Sequence, residues 1–224
     1  MIHVFSRFPT KDTDTLRRQT LAQSTWVGQR WKELPVDDAI LNRRFPENGK
    51  LIPYVKDLFD MACANASDDE AIVYSNADIG MVPQASVNIA FALQANNAGY
   101  AFRVDFPRLS VVPSVANVEK GQEYCGTDVY FFRAAWWKAC RHAFPDMLIA
   151  REAWDPCLRV LMEETNENQP LGLRRICWHE RHSGPGHWET TANRYTLPGQ
   201  RYNLALAKMF MKQHGLNPET FGIR

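Results

Sequence analysis

Four clusters of side chains in this sequence have types and spacings suited to chemistry. In the first, an apolar run, Ala71-Ile72-Val73-Tyr74, breaks into Ser75-Asn76-Ala77-Asp78. Asn76 and Asp78 are two residues apart, so on an extended chain they point to one side. Two oxygen donors on one side suit a hard divalent cation, Mg²⁺ or Mn²⁺, which can in turn hold a diphosphate. The competing reading is an Asx turn in which Asp78 bonds the backbone that follows. In the second, Cys125-Gly126-Thr127-Asp128 leads into Val129-Tyr130-Phe131-Phe132. An acid opening a buried apolar strand must be hydrogen-bonded to be tolerated. Asp128 can therefore orient a hydroxylated acceptor, or else hold backbone amides.

The third cluster is Arg151-Glu152-Ala153-Trp154-Asp155-Pro156. Pro156 fits the first turn of a helix, which makes Asp155 a candidate N-cap and sets Glu152 just outside. Either carboxylate can act as a general base toward a hydroxyl nucleophile; the bland alternatives are a cap and a surface charge. The fourth is His179-Glu180-Arg181-His182, with His187 five residues on. Its spacing is not that of the helical H-E-x-x-H metalloprotease motif. A histidine here can complete the coordination of a cation held by Asp78. A zinc site from Cys177, His179, His182 and His187 is a further option, although the spacing matches no standard pattern. A solvated polar loop is the plain one.

These residues must be carried by elements that bring them to one place. Ile2 to Phe5 opens a first strand that ends at Ser6 and Arg7, where Arg7 can meet a nucleotide base or phosphate. A helix capped by Asp14 is expected to run to about Trp31, followed by a faint strand over 36–41 and a loop over 42–49. Further helices are expected from Pro53, from Ser86 (acting as cap, with Gly99 closing), over 134–143, over 153–164 and over 202–214. Strands are expected over 71–74, 100–106, 127–132 and 174–178, with a long loop over 108–124. Trp136 and Trp137 read as core. Strands alternating with helices predict an α/β three-layer α/β/α sandwich with a mainly parallel central sheet. In such sheets ligands sit beyond the carboxyl ends of the strands, where the polar clusters fall.

Bulk properties narrow the classes. A chain of 224 residues can build a full core without disulfides or a structural metal. Net charge is +1, from 26 Lys+Arg against 25 Asp+Glu, without the basic excess of a general nucleic-acid binder. Five cysteines lacking any C-x-x-C pair argue against a disulfide framework and for buried thiols. No signal peptide or membrane span is visible, so a cytoplasmic protein is expected.

The order of these segments resembles the nucleotide-diphospho-sugar transferases of the glycosyltransferase-A fold over roughly residues 1–185. YSNADI resembles that family's D-x-D element, with Asn76 in place of the first acid. GTDVYFF is similar to its acceptor-side strand, and EAWDPCL to the helix that brings the catalytic carboxylate. His179 or His182 matches the late metal-ligand position. The resemblance implies a nucleotide-diphospho-sugar donor at Ser6, Arg7, Asn76 and Asp78. It implies Mn²⁺ or Mg²⁺ on Asp78, His179 and His182, with transfer to a hydroxyl acceptor served by Asp128 and by Glu152 or Asp155. A domain over 1–187 followed by a C-terminal arm and helix over 188–224 is expected, the arm serving dimerisation or closing over the site. Two alternatives stand beside this reading. One is a catalytically inactive binding protein of the same fold, which Asn76 permits. The other is a zinc- or metal-dependent hydrolase built on the histidine cluster.

Overall fold

The structure of the protein is a computed structural model that describes residues 1–6, 12–36, 43–149, 151–166, 172–181 and 196–223. The chain runs β1 (Ile2–Ser6), α1 (Thr13–Gln23), β2 (Lys32–Val36), β3 (Arg44–Glu47), β4 (Lys50–Pro53), α2 (Val55–Ala64), β5 (Ala71–Asn76), β6 (Ile79–Met81) and α3 (Ala85–Ala95). It continues through β7 (Ala98–Phe106), α4 (Val115–Lys120), β8 (Glu123–Arg133), α5 (Ala134–Cys140), α6 (Trp154–Thr165), β9 (Gly172–Glu180) and α7 (Pro198–Gln213).

Seven strands form one sheet in the order β2-β1-β5-β8-β7-β9-β6. β1, β2, β5, β7 and β9 run one way, and β8 and β6 run against them. Period-two alternation assigns side chains to two cores. Ile72 and Tyr74 of β5 join one core with α2, α5, α6 and α7, whereas Ala71 and Val73 join the other with α1 and α3. The expected three-layer sandwich is therefore present. Trp136 and Trp137 lie in the first core, as does the buried face of α7, Leu204, Ala207, Phe210 and Met211. Cys63, Cys140, Cys157 and Cys177 are buried free thiols. Among the described residues no helix is long and apolar enough to cross a membrane.

Several boundaries differ from the sequence reading. Asp12, not Asp14, caps α1, its carboxylate accepting from the Thr15 amide at 2.9 Å. The helix stops at Gln23, because Trp26 leaves the helical path to bury its ring and donate Nε1 to the Ile79 carbonyl at 3.0 Å. The second strand lies earlier than 36–41, at Lys32–Val36, beside β1; positions 37–42 lie outside the described residues. The expected loop 42–49 holds the first strand of a hairpin instead. Asn48 and Gly49 have φ of 50° and 74°, the twin left-handed positions of a tight β-hairpin turn. The expected loop 108–124 contains α4 and the start of β8. Ser86 does not cap α3: Gln84 holds that position, and the Ser86 hydroxyl accepts from the Arg30 amide at 2.9 Å. Gly99 lies within β7 rather than closing α3.

Candidate active site at the carboxyl edge of the sheet

β1, β5, β7 and β9 end along one edge, at Ser6, Asn76, Phe106 and Glu180. Ser6 pairs in register with Asn76. The antiparallel β8 begins on this edge, so Asp128 lies one step beyond the Ser75–Val129 pair. Arg7, His182 and His187 lie outside the described residues, as does the segment 188–195.

Asn76 and Asp78 go to different partners. β5 ends at Asn76 and the chain turns at Ala77-Asp78 before β6, so the extended spacing does not persist. Asn76 accepts from the Tyr74 hydroxyl at 2.9 Å and donates Nδ2 to Asp128 at 2.9 Å. Asp78 instead faces His179, Oδ2 to Nε2 at 3.6 Å. The other nitrogen of that ring, Nδ1, lies 3.4 Å from Asp105 Oδ1.

Strand register makes this grouping. His179 pairs across the sheet with Asp105 of β7 and with Ile79 of β6, next to Asp78. Phe102 pairs with Arg174, but Arg103 pairs with Cys177, so β9 accommodates two extra residues at Arg175-Ile176. Arg175 takes φ 61° there. An insertion of two residues leaves each side chain on its own face while advancing the partner. Without it, His179 would lie opposite position 107.

Arg103 joins the two halves of the edge. It donates Nε to Asp105 at 2.8 Å and Nη1 to Asp128 at 2.6 Å, and its guanidinium lies 4.2 Å from the centre of the Tyr124 ring. The result is a continuous polar chain from Tyr74 through Asn76, Asp128, Arg103, Asp105 and His179 to Asp78. Burial alone would lower the His179 pKa; hydrogen bonds to Asp105 and Asp78 and the charge of Asp78 reverse this and hold it at about 9. Burial would raise the Asp105 carboxyl, but the His179 bond and Arg103 bring it below its ordinary value.

Asp155 enters this edge from α6. It is not the N-cap: Ala153 holds that position with φ 78°, and Asp155 sits in the first turn. Trp154 packs its ring against Tyr74 and Tyr130, at 5.7 and 5.3 Å between centroids. Asp155 is partly buried. Burial, with the like charges of Asp128 and Glu152, raises its carboxyl to about 7, while the amides of Asp155 and Ala153 draw it the other way. A carboxyl near neutrality can exchange a proton with a hydroxyl nucleophile. The structure thus brings together Asn76, Asp78, Asp128, Asp155 and His179, with the Glu152 charge felt at Asp155.

Arg103 and Asp105 were missed in the sequence. Their signal was present: two charges at i and i+2 in the otherwise apolar strand YAFRVDF, which must share one face. As a cation site, Asp78 and His179 offer one oxygen and one nitrogen, and Asp105 behind the imidazole is the carboxylate support common at metal-binding histidines. With its pKa held at about 9, the imidazole is protonated at neutral pH in the metal-free chain, so Nε2 would have to give up its proton to take a cation. Among the described residues, no group of three or more His, Cys, Asp or Glu could hold a metal on its own. The Cys177 thiol faces the Phe102 carbonyl at 3.6 Å, and burial raises its pKa.

No protein-family model matches the chain, and comparison with curated proteins finds no match. Solved structures do match. S. aureus TarS 1–349 in complex with UDP-GlcNAc superposes with TM-score 0.51 and 8% identity, over 95% of this chain and 72% of that one. TarS 1–349 without a stated ligand gives 0.51 and 10%, over 80% and 60%. The UDP complex gives 0.50 and 8%, over 97% and 73%. At these identities the likeness is one of fold.

Proposed function

We propose that the chain binds a nucleoside-diphosphate sugar along this edge and transfers the sugar to a hydroxyl acceptor. One observation carries the reading. An Asp78–His179 pair backed by Asp105, and a near-neutral Asp155 beside Asp128, converge where the parallel strands end. The fold neighbours crystallised with UDP-GlcNAc and UDP support the donor class.

In this reading Asp78 and His179 would hold a divalent ion, Mn²⁺ or Mg²⁺, its binding releasing the Nε2 proton of His179 to solvent, and the ion would supply positive charge to the leaving diphosphate. Asp105 fixes the imidazole so that Nε2 faces Asp78. Asp128, held from both sides by Asn76 and Arg103, orients the acceptor hydroxyl. Asp155 takes the hydroxyl proton as the acceptor oxygen bonds to the anomeric carbon. The bond from that carbon to the diphosphate oxygen breaks, and its electron pair leaves with the nucleoside diphosphate. In this reading the transfer is an inverting one with Asp155 as base, and Glu152 acts through its charge on Asp155.

The test is calorimetric titration of UDP with and without Mn²⁺, on the wild-type chain and on Asp78→Ala, followed by UDP release from UDP-GlcNAc. Binding that strengthens with Mn²⁺ in the wild type and not in the variant supports the reading. Binding without UDP release makes the chain a nucleotide-sugar binding protein, and no binding of UDP or another nucleoside diphosphate removes the donor assignment.

A further inference from the structure

The segment that leads into Asp155 is fastened by residues far away in the chain. Asn203 of α7 accepts from the Leu148 amide at 2.8 Å and donates Nδ2 to the carbonyls of Leu148 at 2.9 Å and Glu152 at 3.1 Å. Gln200, one turn earlier, accepts from the Glu152 amide at 3.0 Å. Both side chains are fully buried. Glu47, from the β3–β4 hairpin, pairs with Arg151 and accepts from the Gly199 amide at the start of α7. A Cβ on Gly199 would come within 2.8 Å of Glu47 Oε2 and 3.0 Å of Leu148 Cδ1, so a larger residue there would have to push the Glu47 carboxylate aside.

These bonds act on one strained link. Ala153 is left-handed, a conformation that disfavours any residue with a Cβ. It persists only where the surroundings fix it. Both backbone groups of its neighbour Glu152 are held by α7, the amide by Gln200 and the carbonyl by Asn203. Ala153 is the N-cap of α6, and Asp155 stands two residues on in its first turn. The fastening by α7 therefore acts on the residues that set where α6, and with it the proposed base, begins.

We infer that Gln200 and Asn203 are positioning residues, which lock Glu152 and the left-handed Ala153 so that α6 presents Asp155 at the sheet edge. The inference rests on the glycosyltransferase reading for its meaning, but not for its test. It gives the C-terminal helix a part in the site beyond filling the core.

The experiment follows the Asp155 carboxyl by carbon-detected NMR across pH, its signal assigned by loss in Asp155→Asn. The groups facing it are Asp128 and Tyr130 of β8 and Glu152 of its own approach segment. Gln200→Met keeps the length of the side chain but removes the acceptor of the Glu152 amide. Gln200→Asn withdraws that acceptor by one methylene and stays polar, covering the case in which the Met variant does not fold. In the wild type the carboxyl titrates near neutrality. In either variant the freed segment admits water, and the midpoint falls by about one pH unit or more. UDP affinity, set at the strand ends, stays within about twofold. A titration unchanged in a folded variant overturns the inference, and so does an equal loss of UDP affinity, which marks a general structural role. Failure of UDP to bind the wild type counts against the glycosyltransferase reading alone, since the titration needs no ligand.

Discussion

Replacing Arg103 by Met tests the edge network most directly. Its guanidinium lies between Asp105 and Asp128, with side-chain exposures of 16%, 6% and 14% in that order. Burial would lower the Arg103 pKa, yet the two carboxylates raise it above its ordinary value. Removing one member of a buried pair leaves the other charged and poorly solvated, at a cost of about 3–5 kcal/mol. Asp105 keeps His179 and Arg181 in Arg103→Met, whereas Asp128 keeps the Asn76 amide. The penalty therefore falls mainly on Asp128, and the lower end, about 3 kcal/mol, is expected. For a chain of this size that corresponds to a fall in Tm of about 6–12 °C. Urea unfolding followed by tryptophan fluorescence measures it. Adding Asp128→Asn to Arg103→Met removes the orphaned charge and restores at least about 1.5 kcal/mol. Arg174→Met is the control. Its pair with Glu123 is 63% exposed on the arginine side, so it loses no more than about 1 kcal/mol. An Arg103→Met loss under about 1 kcal/mol, or a double variant no more stable than the single one, refutes the network as an energetic unit.

Asp155 makes a prediction with a definite sign. Its folded carboxyl keeps the proton to about pH 7 and its unfolded one to 3.8, so the folded state binds more protons between these values. Stability therefore falls as pH rises through that window, and the ΔG of Asp155→Asn relative to wild type increases by roughly 2–4 kcal/mol from pH 4 to pH 8. A difference that does not change with pH, in urea unfolding at both values, contradicts the assignment. Gly80 lies opposite Trp178 in the β6–β9 pair, and a Cβ there falls inside the indole. Gly80→Ala is expected to lower stability by about 1–3 kcal/mol, read by thermal unfolding, as Trp178 is forced from its site. Asp105→Asn leaves Asp78 and His179 in place but removes the charged support of the ring. The Mn²⁺-dependent part of UDP affinity is expected to fall about 10- to 100-fold, measured by calorimetry, with metal-free affinity unchanged.

Local features made much of the fold legible in the sequence. The apolar run that breaks at Ser75-Asn76, the alternation of Tyr100 to Phe106 and the Trp-Asp-Pro helix start each depend on neighbours a few residues away. Period and turn chemistry operate over that range. These features located β5, β7 and α6, and they placed Asn76, Asp155 and His179 at or next to element ends, whereas Asp128, expected at a strand start, lies within β8. They were less informative where a distant partner overrides local preference. Trp26 ends α1 early because its ring is buried near Ile79. The N-cap of α6 falls on left-handed Ala153, held by α7, instead of on Asp155.

The sequence by itself determined that Asn76, Asp78 and His179 fall at the carboxyl edge of the sheet, since a strand end is a property of a short stretch of chain. Only the tertiary structure decided which of them meet. A two-residue period does not specify register between strands more than 70 residues apart. Hence the pairing of His179 with Asp105 and Asp78 awaited the two-residue insertion in β9. The parting of Asn76 from Asp78 depended likewise on Asp128 arriving from β8. The bridging role of Arg103 exists only because two carboxylates from different parts of the chain come within reach of one guanidinium, where low polarity makes their compensation strong.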